Sequence, residues 1–457
     1  MSTHHTATHL TTPVAAVHAG PARPARRLPA VVTPDPVPVV SGALVEYAQL
    51  DHAASTPALE SVARAVVTAT RGYSSVHRGT GWLSRVTSAH YEAAREEVAR
   101  FVGARADDLV VFVRTTTEAT NLLARALPAG TPVVVFDTEH HASLLPWPAA
   151  DTHRLPVPAS PEEALGRLES TLAGLADGPA PLVVVTGASN VTGELWPLER
   201  VVAVARRHGA RVLVDAAQLV AHRPVDLAAL GADWVVFSGH KLHAPYGAGV
   251  LVGRADWLDA AEPHLAGGGA SAAVSAEAVT WATGAARHEG GSPNVLGAVA
   301  LAAACAAVRT HRAAVEAHEA RLGHRLLEGL AGIPGVRVHS LFGPEHPRVP
   351  VVAFTVDGLD SHLVAAALSA EHGIGVRAGK FCAHRLVDTL LTRDGVGAVT
   401  AVRASAGLAT TDEHVERLLA AVASLAAEGP GVAYVEEPGR GWVPADDPRD
   451  LDVALPW

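Results

Sequence analysis

The stretch FSGHKLHAPYGAG (237–249) sets Lys241 between His240 and His243 in a loop bounded by glycines. The apolar run WVVFS (234–238) leads into it and GVLVG (249–253) leads out. Lysine is ordinarily a solvated surface charge. This one stands at the mouth of a run apolar enough to be a buried strand, with Ser238 and two histidines around it. Partial burial beside cationic neighbours lowers the pKa of an ammonium group, which suits a lysine to Schiff-base chemistry. A surface charge is the plainer alternative, and the surrounding sequence has to decide between them.

Working outward, similar runs recur: LVVFV (109–113), PVVVF (132–136), LVVVT (182–186) and RVLVD (211–215). Ala/Leu-rich segments of helical period lie between them, such as the one from Glu118 through Leu122 and Leu123 to Leu127. Near-continuous apolar strands fit a sheet covered on both faces. Their alternation with helices predicts an α/β domain with a mainly parallel sheet. Helical sequence from about Asn294 to Leu330 opens a second unit. The strand candidates VRVHSL (336–341) and RVPVVAFTV (348–356) come next, and the amphipathic segment HVERLLAAVASL (414–425) closes it. This predicts a smaller α+β domain. The expected division is a disordered tail over 1–40, a large domain over 41–310, a small domain over 311–428 and an extension over 429–457. Residues 41–55 are candidates to pack on the small domain.

Composition narrows the function. The 457 residues are 49% hydrophobic but 4% aromatic, so the core must be built from Ala, Val and Leu. A formal net charge of -10 argues against nucleic acid or an anionic membrane as the main partner. Two cysteines, Cys305 and Cys382, exclude a disulfide framework and suit a reducing cytoplasm, the expected location. The longest apolar stretch, 295–308, falls short of the roughly 20 residues that span a bilayer and predicts a buried helix. The tail holds His4, His5, His9, Arg23, Arg26 and Arg27 and no acidic residue before Asp35, a composition that resists packing. His4, His5 and His9 alone do not make a metal site, and no metal is expected.

In open α/β sheets ligands bind beyond the carboxyl ends of the strands. The segments immediately after the runs are RTTTEATN, DTEHHAS, GASNVTGE, DAAQ and SGHK in turn. Thr115, Thr116 and Thr117 precede a helix, where free N–H groups and the dipole favour a phosphate; simple N-capping is an equal reading. Asp215, at the end of a buried run, suits a cation such as a protonated ring nitrogen, or caps a helix. A phosphorylated aldehyde with a pyridinium nitrogen, pyridoxal phosphate, would use the lysine, the carboxylate and the threonines together. Cys305, in LAAACAAV, reads as a small buried hydrophobe. Cys382 lies among Arg377, Lys380, His384 and Arg385, cations that favour the thiolate.

These residues fall in stretches that resemble the class V aminotransferase-fold, pyridoxal-phosphate-dependent enzymes, in particular the cysteine desulfurase and selenocysteine lyase group. The stretches are LDHAAST, VHRGTGWLSRVTSAHYEAAREEV, VFVRTTTEATNLLA, EHHASLLPW, SNVTGELWPL, VLVDAAQ, FSGHKLHAPYGAGVLVG, EGGSPN and VRAGKFCAH, in the family's order over about 45–425. The resemblance implies a fold-type I transferase with a seven-stranded sheet, usually a homodimer. It implies that Lys241 carries the cofactor and moves the substrate's α-proton, that Asp215 pairs with the ring nitrogen, that His140 stacks on the ring and that Gln218 bonds the phenolic oxygen. Thr116, Thr117, Ser238 and His240 would hold the phosphate, with Ser292 of the partner subunit and Asn190 completing the cofactor contacts. Arg403 would grip the substrate carboxylate, with Asn190, Arg377 and His77 as further substrate contacts. Cys382 would take sulfur from L-cysteine, leaving alanine, for delivery to an acceptor protein; selenocysteine is a second candidate substrate. A transaminase, epimerase or C–S lyase with Cys382 incidental is the alternative. The chain departs from the family's usual residues at His52, Thr115, Lys380 and Phe381.

Overall fold

A computed structural model describes residues 27–77, 79–452 and 455–457. The tail residues His4, His5, His9, Arg23 and Arg26 lie outside the described residues. The last part of the expected tail is paired to the body of the protein. Val31 bridges Leu59, the Val32 N–H donates to the Ala58 carbonyl, and Val37–Pro38 pairs with Leu44–Val45.

The apolar runs become a seven-stranded sheet: β1 Asp108–Val113, β2 Val133–Phe136, β3 Thr152–Leu155, β4 Leu182–Thr186, β5 Arg211–Asp215, β6 Trp234–Ser238 and β7 Gly249–Arg254. The order across the sheet is β1-β7-β6-β5-β4-β2-β3. Only β7 runs against its neighbours, so the other six strands point their carboxyl ends the same way. Successive side chains alternate between two cores. Val134, Phe136, Val183, Val185, Val212 and Val214 face one, and Val133, Val135, Leu182, Val184 and Leu213 the other. Strand β3, THRL, has no apolar run to announce it. It is an edge strand whose first three residues are partly or fully exposed, so burial never selected for hydrophobic side chains there.

The helix Val295–Ala331 is 37 residues long, about 55 Å at the usual rise. Asn294 caps it, its side-chain oxygen accepting the Gly297 N–H at 2.9 Å. The expected boundary at 310/311 falls inside this one helix, which serves both cores. Leu301, Cys305 and Val308 pack in the large domain, and Leu322, Leu326 and Leu330 in the small one. By length and composition the helix could cross a membrane, but those side chains are fully buried within the protein.

The small domain is an antiparallel sheet in the order Val336–His339, Val351–Val356, Ala401–Ser405, Arg377–Gly379. Its core also takes Ala48 and Leu50, because Ala48–Gln49 pairs in parallel with Ile374–Gly375. The extension after residue 429 forms a hairpin, Tyr434–Glu437 with Gly441–Pro444, tied down by Tyr434 to Glu371 and Trp442 to Asp360.

Leu326, fully buried where the long helix enters the small domain, is expected on Leu326→Ala to cost about 2–5 kcal/mol by lost burial and cavity formation. Urea unfolding of the purified variant measures it; a loss below about 1 kcal/mol would show that the site collapses around the deletion.

Candidate active site

The carboxyl ends of β1, β2, β4, β5 and β6 open onto one cavity of about 290 Å3, at the small end of the usual range for ligand sites. Twelve of the fourteen site residues that the resemblance implies line it: Thr116, Thr117, His140, Asn190, Asp215, Gln218, Ser238, His240, Lys241, Arg377, Cys382 and Arg403. The first nine lie at or just after the carboxyl ends of strands of the large sheet. The last three come from the small domain, so the cavity lies across the seam.

Lys241 sits in a short turn after β6 and is partly exposed at the cavity wall. Burial pulls its ammonium down to about 8; the Asp215 carboxylate opposes that effect and the Arg403 charge adds to it. At pH 7 about one molecule in ten then carries a neutral amine, against about one in several thousand for an ordinary lysine. Lys241 and Lys380 are the only lysines in the chain. The Lys380 ammonium lies 2.6 Å from the Asp388 carboxylate.

Asp215 is 5% exposed and held in place on both oxygens. Oδ2 accepts from the Ser143 hydroxyl at 2.6 Å and Oδ1 from the Ala217 N–H at 3.0 Å. Both contacts are donated to it by neutral groups, and the carboxylate lines the cavity where a cationic partner would sit. His140 is pulled down to about 4, first by burial and then by the Lys241 charge. It is therefore neutral at physiological pH. Its Nδ1 accepts the Ala142 N–H at 3.0 Å, which places the ring proton on Nε2. Glu139, fully buried beside it, is driven well up by burial and by the Asp215 charge.

At the start of the helix Thr116–Ala126 the Thr116 N–H and hydroxyl both meet the Ser238 hydroxyl at 2.7 Å. Gly249 permits this approach: a Cβ there would stand 3.0 Å from the Thr115 backbone. The Gln218 amide donates to the Ala53 carbonyl at 2.5 Å. The sequence reading of the threonines as caps also holds in part, since Thr115 caps the helix by accepting from the Glu118 N–H.

Arg403 is 3% exposed. Its Nη1 donates to the Asn190 carbonyl and its Nη2 to Asp51 Oδ1, each at 2.9 Å. Its Nε is buried without a partner, an orphaned donor that a ligand oxygen would satisfy. Asp51 also takes the Arg377 Nε on Oδ2 at 3.0 Å, so one carboxylate serves both arginines. Asp51 and Ser143 are not picked out by the sequence as site residues, and Phe381 only as a departure from the family's usual residues. Asp51 lies in the quoted LDHAAST, but its partners are more than 300 residues away.

Cys382 is exposed, and Cys305 is buried with its thiol pushed well up by burial. Phe381 and Cys382 both have left-handed backbones, φ 50° and 54°, at roughly 1–2 kcal/mol each for residues with a Cβ. The turn is clamped on both sides. Asn190 Nδ2 donates to the Phe381 carbonyl and the His141 N–H to the Cys382 carbonyl, each at 2.7 Å.

Two expected site residues are elsewhere. His77 lies 2.7 Å from Glu92 and lines a larger groove of about 1000 Å3, with Gly269, Gly291 and Pro293. Ser292 is exposed next to that groove. Neither reaches the cavity within this chain. His243 turns away, its backbone N–H bonded to Thr56 and its Nδ1 2.9 Å from the Pro57 carbonyl. Among the described residues no group of side chains is arranged to hold a metal ion.

The residues present fit pyridoxal phosphate by the chemistry of the donor set: a lysine of lowered pKa, a buried carboxylate and a hydroxyl-lined helix start. Residues 48–418 match the family described as Aminotransferase class-V. A probable cysteine desulfurase of Vibrio cholerae is 36% identical over 400 residues, 84% of this chain and 94% of its own length. A cysteine desulfurase of Klebsiella pneumoniae is 39% identical, covering 82% of this chain and 92% of its own. The apo structure of a cysteine desulfurase from Thermococcus onnurineus superposes with a TM-score of 0.74 at 32% identity, over 83% of this chain and 94% of that one.

The geometry sets two expected outcomes. Attachment of pyridoxal phosphate to Lys241, trapped with borohydride and read by peptide mass, should rise with pH through a midpoint near 8, because a lowered ammonium pKa leaves the amine free above that pH. A midpoint above about 10 would mark a solvated lysine. Asp51→Asn should leave Arg403 buried without its counter-charge and lower unfolding stability by about 3–5 kcal/mol; a variant as stable as the parent would show the pairing to be dispensable.

Proposed function

The chain belongs to the class-V aminotransferase family, and we propose that it is a pyridoxal-phosphate-dependent cysteine desulfurase that converts L-cysteine to L-alanine. The observation that carries this is an exposed thiol, Cys382, on the wall of the same cavity as Lys241, Asp215 and Arg403. A transaminase needs the lysine, the carboxylate and the arginine, but has no use for a thiol presented beside them.

Lys241 would hold the cofactor, Asp215 its ring nitrogen, the Thr116–Ser238 cradle its phosphate, and His140 and Gln218 its ring. When bound, pyridoxal phosphate supplies an electron sink for the pair released at the substrate's carbon. Arg403 binds the substrate carboxylate through the uncommitted Nε, with Arg377 beside it. Lys241, poised near neutrality, takes the α-proton and returns a proton to the product. Neutral His140 donates from Nε2 without adding charge. The Cys382 thiolate attacks the substrate sulfur: an S–S bond forms, the C–S bond breaks, and the released pair with a proton completes alanine. The persulfide left on Cys382 is exposed, which suits onward delivery to an acceptor protein.

A second copy of the chain is part of this reading. Trp82, Leu83, Leu265, Val274 and Val279 are exposed large apolar residues, on or near the segments that flank the His77–Ser292 groove. Burying them against a partner would also give Ser292 a site to serve. The two unpaired thiols suit the reducing cytoplasm.

The test is Cys382→Ser. The variant should still bind pyridoxal phosphate and L-cysteine, but alanine formation should collapse, since a serine hydroxyl is too weakly acidic to replace a thiolate. Parent enzyme quenched in turnover should carry one extra sulfur on the Cys382 peptide. Alanine release at the parent rate by the variant, or pyruvate and ammonia as products, would replace the desulfurase reading with a transaminase or lyase.

A further inference from the structure

Phe381 lies between the cation that would bind substrate and the thiol that would attack it. Its ring packs under the Arg403 guanidinium, 5.1 Å from carbon to centroid, and its side chain is buried in the large core. Asn190 links the two residues a second time, accepting from Arg403 Nη1 on its backbone carbonyl and donating from its side chain to the Phe381 carbonyl. The next residue is Cys382. No glycine separates them, and both backbones are held in the left-handed region by contacts on either side. Such conformations persist only where the surroundings over-determine them.

We propose that Phe381 is a positioning residue that couples occupancy of Arg403 by a carboxylate to the placement of the Cys382 thiol. The proposal rests on Arg403 as the carboxylate clamp and Cys382 as the nucleophile. A guanidinium stacked on a ring is attracted to it by charge, and a carboxylate arriving on the guanidinium draws that charge away. The ring then settles differently beneath the cation. With φ constrained at both 381 and 382, a shift of the ring is passed to the neighbouring backbone instead of being absorbed by a flexible joint. A polar side chain at 381 would lack this apolar face for the cation.

The test reads the thiol directly. The holoenzyme is treated with iodoacetamide, with and without saturating L-alanine, which brings a carboxylate and an amine but no sulfur. The alkylation rate of Cys382 is followed by peptide mass, with buried Cys305 as the unlabelled control. In the parent, L-alanine should change the rate several-fold. Phe381→Tyr keeps the ring and should keep the response. Phe381→Leu keeps apolar volume without a ring face and should lose it, with KM for L-cysteine raised several-fold; Phe381→Met serves the same purpose should the leucine variant fail to fold. A ring-less variant that responds like the parent, or a parent that does not respond, overturns the coupling. Failure of the desulfurase reading is separate: it shows as absence of alanine from L-cysteine, whatever the alkylation rates.

Discussion

Arg403 and Arg377 share one carboxylate, Asp51, and the seam between the two domains is organised around that sharing. Arg403 comes from a central strand of the small domain, while Asp51 comes just after the short strand Ala48–Gln49 that crosses to join that domain. A buried guanidinium without a counter-charge would be strongly destabilising, so the segment after residue 48 must dock before the clamp can exist. The same docking brings Ala53 onto Gln218 and Ser405. The catalytic edge of the large sheet is thus closed by a piece of chain that arrives with the other domain.

The pairing leaves one guanidinium nitrogen uncommitted in a place with little water. That combination favours a planar anion over a neutral ligand, because the orphaned donor gains a charge-assisted bond that solvent does not supply. Protonation obeys the same logic. Lys241, His140 and Glu139 are all shifted by burial toward their neutral forms. Proton movement in the cavity therefore has few participants, and each starts from a defined state.

Much of this was legible in the sequence because a parallel sheet converts chain order into spatial coincidence. Residues just after the apolar runs must meet at one edge, so Thr116, His140, Asn190, Asp215 and Lys241 could be collected without knowing a single contact. The edge strand β3 was not legible, since exposure had removed its apolar signal. Asp51 was invisible as a site residue because its meaning lies in partners in another domain. Phe381 read only as a departure from the family's usual residues; its role depends on a ring lying under a cation, which no spacing encodes. His77 and Ser292, which only the resemblance suggested, lie outside the cavity of the single chain.

The scarcity of lysine has a consequence for how an aldehyde finds its place. Arginine, which makes up every other cationic side chain of the Lys and Arg set, stays protonated and does not form an imine with a simple aldehyde. Of the two lysines, Lys380 is occupied by Asp388, whereas burial leaves Lys241 an appreciable free-amine population near neutral pH. A carbonyl compound diffusing over this surface therefore meets almost no decoys. The protein obtains selectivity from the barrenness of its exterior as well as from the fit of its interior, and stray sugars and aldehydes that would modify a lysine-rich neighbour find few side-chain amines to stain.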